Sequence, residues 1–464
     1  MTNDFTTIFD SFSAVQKTEF RQYIHHFHAG NKVGLQVFER VVVYSETGRD
    51  VFDGLSNDNE RVNMSNDLYD LKNWAIEFLT IQYIKKNSFD AQFLTLEALR
   101  KQKGLSDILE KKTKQLKDAL TKQANPDIGS SILTLRLADA DYFTTEIDPL
   151  KNYQPEMQFL LDELDNFYIC NKLKYLAEQN SRTKILQENY NPRLLKDIQK
   201  LAETDASLNP LIKKLYLPLL TLTKDKSPIA YAELKALLVE NALPNRREKL
   251  IVLMYLLNFA AARQKIEPAI YYQEYFDLAQ IGLQKSLFTA VGYFPTMTFI
   301  NIVNTAIYLK KEAWLKTFIN KWSPTLKVSD ALIVQNLASA RLHFEQRKFE
   351  PALSLLTAIE IKNYKNTHVS IHFRLLIARL NHELNRPQSV QKKHCVASET
   401  YIRRNPQFHG YLERCLLNFF KILLLLILNN ENLKSKRQLL KILDNQTEIP
   451  PFDDWLKAKI NKLK

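Results

Sequence analysis

Residues 331–360 read Ala331-Leu-Ile-Val-Gln-Asn-Leu-Ala-Ser-Ala-Arg-Leu-His-Phe-Glu-Gln-Arg-Lys-Phe-Glu-Pro-Ala-Leu-Ser-Leu-Leu-Thr-Ala-Ile-Glu360. Apolar residues recur at helical spacing on both sides of a short polar turn, Gln346 to Glu350. Ala338 and Ala340 lie in the first half. Ala352 lies in the second, beside Pro351, which suits the first turn of a new helix. Small residues let two antiparallel helices approach, and Phe344, Phe349 and Leu356 fill the space between them. The stretch predicts a pair of helices joined by a tight turn.

The pair has neighbours of the same design. His372 to Arg386 aligns with Val334 to Lys348, placing Ala378 on Ala340, Arg379 on Arg341 and Glu383 on Glu345. Lys265-Ile-Glu-Pro-Ala-Ile270 echoes Lys348-Phe-Glu-Pro-Ala-Leu353. Recurrence of one supersecondary unit is the mark of a stacked array. The fold expected is all-α, an α-solenoid of tetratricopeptide-like antiparallel helix pairs. The expected division is residues 1–65 as an N-terminal helical cap or small module, 66–205 as a first repeat region, and 206–464 as a second one ending in a capping helix.

Composition agrees with helices. The 464 residues include only 9 Gly and 16 Pro, too few turn formers for an all-β chain of this length. Helical spacing runs over 5–28, ending at His25, His26 and His28, then over Val33 to Tyr44; 45–63 is the loosest part. Phe93 to Lys103 and Leu105 to Lys122 form a pair broken at Gly104. Pro155, Pro210 and Pro295 stand where helices or turns begin. Leu416 to Leu428 is the most apolar run, but it is too short for a membrane span and holds Lys421, so it reads as a core helix. Trp455, Leu456, Ile460 and Leu463 read as a terminal cap.

Catalytic chemistry finds little support. Cys170, Cys395 and Cys415 are an odd number without close spacing, which fits a reducing, cytoplasmic setting rather than a disulfide framework. The first ten residues carry acids and no basic flank, unlike a signal peptide. His25 and His26 diverge on a helix. His368 and His372 lack the intervening Glu of a zinc-protease helix. Asp162 and Asp165 read as surface charges, and Cys395 beside His394 as a packed thiol. No metal or cofactor is implied.

Leu164-Asp-Asn-Phe-Tyr-Ile-Cys-Asn-Lys-Leu-Lys-Tyr175, Asn209-Pro-Leu-Ile212, Phe299-Ile-Asn-Ile-Val303, Trp314 with Phe318-Ile319, Asn336 through Leu353, and Asp454-Trp-Leu456 carry a resemblance that spans most of the chain. By these stretches the chain resembles a large uncharacterised bacterial family of tetratricopeptide-like helical-repeat proteins. The resemblance implies the same fold and brings no reaction with it.

The function expected is therefore a non-catalytic scaffold that binds a protein or peptide, acidic in character, on its concave face. The candidate contacts are Arg341 and Arg379, with Lys310 near the same row, and Phe344 matched by His382. The competing expectation is that each Arg pairs with the Glu four residues on. The alternative function is weak, sequence-independent nucleic-acid binding. Lys and Arg outnumber Asp and Glu 27 to 13 after residue 300, against 37 to 38 before it.

Overall fold

The computed structural model describes residues 4–47, 51–55, 57–86, 88–122, 128–142, 155–186, 190–243, 245–290, 292–359, 364–428, 436–444 and 452–462. All regular secondary structure among them is helical. The chain forms two compact units, Met1–Leu160 and Leu161–Lys464. The residue 65/66 boundary expected from sequence falls inside a continuous helix, and the 205/206 boundary follows one directly.

The first unit holds α1 (Asp4–Asp10), α2 (Ala14–Phe27), α3 (Lys32–Thr47), α4 (Asp58–Lys86), α5 (Ser88–Arg100), α6 (Ser106–Thr121) and α7 (Ile128–Tyr142). The single helix expected over 5–28 is broken in two. Ser13 Oγ accepts the Gln16 N–H, and Gln16 Oε1 accepts the Ser13 N–H, which starts a fresh helix at Ala14. Phe5, Phe9, Phe20 and Phe38 interlock beneath α4, where Phe78 closes the group. Trp74 stacks on His28 at 4.1 Å. The loosest stretch is narrower than expected, since α3 runs to Thr47 and α4 begins at Asp58. Gly104 takes φ +78° between α5 and α6, at the predicted break.

The second unit takes α8 (Pro155–Leu186) from Leu161 onward, then α9 (Leu195–Thr204), α10 (Leu217–Asp225), α11 (Pro228–Val239), α12 (Arg246–Arg263) and α13 (Pro268–Gln284). A wide π turn, Ile212–Tyr216, leads into α10. Pro218 has no N–H to give the preceding turn, which accounts for the widening. Three phenols fasten this region across helices: Tyr216 donates to Glu248 at 3.0 Å, Tyr255 to Glu178 at 2.7 Å, and Tyr231 to Glu274.

Tandem pairs follow: α14 (Thr296–Tyr308) with α15 (Glu312–Trp322), α16 (Val328–Glu345) with α17 (Phe349–Thr357), and α18 (Thr367–Glu383) with α19 (Gln388–Arg404). The chain closes with α20 (Tyr411–Leu428), α21 (Lys436–Asp444) and α22 (Asp453–Asn461). Helix α14 packs on α16, and α16 on α18, so the first helices of successive pairs lie side by side. One turn recurs within the three pairs. Lys310, Arg347 and Asn385 sit in the left-handed region at φ +55°, +58° and +49°. The next residue donates its N–H five residues back each time: Lys311 to Ala306, Lys348 to His343, Arg386 to Asn381. Each first helix is thus closed by the same C-terminal cap.

Helix α20 buries Leu416, Phe419, Phe420, Leu423 and Ile427 under α22, whose Leu456 and Ile460 are fully buried in the same core. Lys421 reaches solvent. Among the described residues no helix is long and apolar enough to cross a membrane.

Candidate partner-binding surface

Arg341 and Arg379 occupy matching places on α16 and α18, as their alignment predicts, but both face inward. Arg341 is 6% exposed. Its Nη1 donates to Asn304 of α14, and its Nη2 lies 3.0 Å from His372 Nδ1 of α18. One guanidinium thereby ties three neighbouring first helices. Burial, then the charge of Arg341, then that of His368, holds the His372 ring well below the usual histidine range. A neutral ring can accept the bond from Arg341.

Arg379 is 7% exposed. Its guanidinium lies 4.0 Å from the Phe344 ring centroid and 4.2 Å from that of Phe452, with Trp455 at 5.5 Å. Aromatic faces attract a cation by about 1–2 kcal/mol each when desolvated. Glu345 reaches it at 3.9 Å, and Arg379 Nε has no hydrogen-bond acceptor among the described residues. Burial lowers the Arg379 pKa, opposed by Glu345 and Glu383, and a guanidinium stays charged at neutral pH.

Neither sequence-based pairing forms. Glu345 turns to the Arg of the next pair, while Glu383 accepts from Trp455 Nε1 at 2.8 Å and from Lys459. The physical reason is the side-by-side packing of the first helices. The face that bears the Arg–Glu row meets the following helix, and α22 covers the rest. Phe344 is buried under Arg379, and half-buried His382 meets the Trp455 ring edge-on at 5.6 Å. Arg341, Phe344, Arg379 and His382 therefore belong to a packed polar core. The expected groove-facing ladder of Arg side chains is not exposed here.

Lys310 stands apart from them. It is the left-handed residue of its turn, the counterpart of Arg347 and Asn385 rather than of Arg341. The second helices begin close by, and contacts run from turn to turn. Arg263 donates to the Lys226 carbonyl at 3.2 Å, Gln346 to Glu312 at 2.9 Å, and Arg386 to both Glu350 oxygens at 3.0 and 2.9 Å. Tyr272 stacks on Tyr308 at 3.6 Å, joining the first turns of α13 to the end of α14. The turns form one row. Lys226, Lys265, Lys310, Lys311, Arg347 and Lys348 are exposed along it, and these six side chains have no partner among the described residues.

The row ends at a cleft of about 400 Å³ lined by His382, Glu383, Arg386, Gln391, Lys459 and Lys462. The turn cations were open to sequence reasoning through the echo of Lys265–Ile270 in Lys348–Leu353. Both copies lie at the start of a second helix, Pro268 and Phe349.

The remaining candidates are structural. His394 Nε2 lies 2.9 Å from the Arg374 carbonyl, and burial pushes the adjacent Cys395 thiol up to about 12, far from a reactive thiolate. His368 packs edge-on against Phe408. Among the described residues no three His, Cys, Asp or Glu side chains cluster to hold a metal. No family model matches this chain, and neither does any curated protein or solved structure.

Proposed function

We propose that the second unit is a tetratricopeptide-like α-solenoid acting as a non-catalytic scaffold for a protein or peptide partner, in keeping with the bacterial family its sequence resembles. The observation that carries this reading is the turn repeated at Lys310, Arg347 and Asn385, with first helices packed side by side. Identical turns on packed pairs generate an extended surface whose features recur at each step, and such surfaces suit elongated partners. Packed polar groups add support. His372, Arg341 and Arg379 are locked to neighbouring helices rather than aimed at an open cleft, unlike a catalytic constellation.

The chain itself gives one example of what this face accepts. Helix α22, a short amphipathic helix, is held on α18 by aromatic–guanidinium stacking on Arg379 and by Glu383. Affinity capture with the full chain from its native cell, followed by mass spectrometry, tests the scaffold. One protein retained in near-stoichiometric amount through a salt wash is the expected result. A turnover detected in a broad substrate screen, with no protein retained, ends the reading.

A second reading rests on α19. Lys392, Lys393, Arg403 and Arg404 are exposed there, without partners among the described residues. Four such cations support weak nucleic-acid binding whose affinity falls steeply with salt and ignores sequence.

A further inference from the structure

We propose that the row of turns bearing Lys226, Lys265, Lys310, Lys311, Arg347 and Lys348 is a docking track for an extended acidic segment of a partner protein. The inference rests on the scaffold reading and names the chemistry of its partner.

Spacing comes first. Packed helices stand about 8–10 Å apart, so successive turns are offset by roughly that distance. An extended chain rises about 3.3 Å per residue, so roughly three residues cover one step. Acidic side chains at every third position would meet one turn after another.

Charge comes second. Two acids of the turns are engaged with the following turn: Glu312 accepts from Gln346, and Glu350 holds Arg386. That pairing leaves the cations before them available. Each of these turns presents Lys or Arg just ahead of a second helix, and Arg386 and Lys462 continue the basic character into the cleft at the end of the row.

Apolar surface comes third. Ile229 and Ile266, 72% and 70% exposed, stand among the cations on turns joined by the Arg263–Lys226 contact. Tyr308, at the next turn, is 48% exposed. A protein segment can bury these side chains between its acids. A nucleic acid offers them little, and it carries about one charge per 1.7 Å of duplex, far denser than six cations spread over several helix spacings. An anionic bilayer prefers clustered cations without interspersed carboxylates, and Glu267, Glu312 and Glu350 lie in this row.

The test uses the full chain and a fluorescein-labelled peptide of about 15 residues with Glu at every third position among Ser and Leu, long enough to span the row. Anisotropy should show salt-sensitive binding. Lys265→Glu, Lys311→Glu and Lys348→Glu together should weaken it by about tenfold or more, because like charges would face the peptide. These positions leave the left-handed residues intact. Lys392→Glu, Lys393→Glu and Arg403→Glu together make the same change of net charge on α19 and should cost less than about twofold.

Equal losses in both triple variants, or equal affinity for a peptide with its Glu residues in one block, would overturn the track. So would retention by phosphatidylcholine–phosphatidylserine vesicles or by a single-stranded oligonucleotide that is lost in the turn variant while the peptide fails to bind. Capture from lysate separates the two claims. A partner held equally by the intact chain and by the turn variant sinks the track and leaves the scaffold standing. The absence of any captured partner, together with a turnover in the substrate screen, sinks the scaffold and the track with it.

Discussion

At the scale of residues, the turns hold cations where glycine would be easier. A non-glycine residue in the left-handed region costs about 1 kcal/mol. Arg347→Gly should therefore raise stability by roughly 0.5–1 kcal/mol, read from the denaturant midpoint. Gly282 is the reverse case. A Cβ there would lie 2.5 Å from Phe288 and 2.6 Å from Leu253, so Gly282→Ala should cost about 1–3 kcal/mol by overpacking. A stability unchanged by that substitution would show that Phe288 can move aside. His372 sets a pH dependence. Its folded pKa lies below the unfolded value, so the unfolded chain binds the proton first and stability falls as pH drops through about 6.5. His368, His382 and His394 shift the same way, each with burial as the largest cause. Urea melts should show declining stability from pH 7 to 5, and His372→Asn should flatten the decline by at most about 1.4 kcal/mol per pH unit. The equivalence of Arg341 and Arg379 was legible in the sequence, because their flanking residues align. Their inward orientation was not. For Arg379 it depends on Phe452 and Trp455, which arrive more than seventy residues later, and for Arg341 on Asn304 and His372 of the flanking helices.

At the scale of elements, starts were easier to read than interruptions. Pro228, Pro268 and Asn366 mark helix beginnings by their local chemistry alone. The break before Ala14 was missed although Ser13 and Gln16 spell a capping box, because apolar spacing runs on across it. The π turn before α10 had a signal in Pro218, but whether a proline kinks, widens or ends a helix depends on the packing around it. Helix α20 gives a direct comparison between adjacent positions. Leu423 is fully buried, whereas Leu424 only packs at the margin of the core. Leu423→Ala should cost about 2–5 kcal/mol. Leu424→Ala should cost clearly less, and equal losses would mean that the helix is rotated from its described orientation.

At the scale of the whole molecule, an all-helical chain was legible from composition and period, while its division was not. The sequence shows no composition shift near Leu160, and a compact unit is defined by contacts between distant residues rather than by a linker. In the second unit, packing passes from α14 to α16 and from α16 to α18, and the final core is completed by α22. Where helices contact mainly their neighbours, stability is dominated by nearest-neighbour interfaces. Leu456→Ala should therefore loosen α18, α20 and α22 before it affects α12 to α15. Native-state hydrogen exchange would resolve that order, and uniform loss of protection across the second unit would contradict it.

The three cysteines offer a clock. Cys170, Cys395 and Cys415 are all buried, one on α8, one on α19 and one on α20. Burial pushes the Cys170 and Cys395 thiols up to about 12, and only a thiolate attacks an alkylating reagent at useful speed. Alkylation must wait for the surrounding helices to part. Mass mapping of iodoacetamide uptake against time would thus record, without any engineered probe, which part of the second unit breathes first.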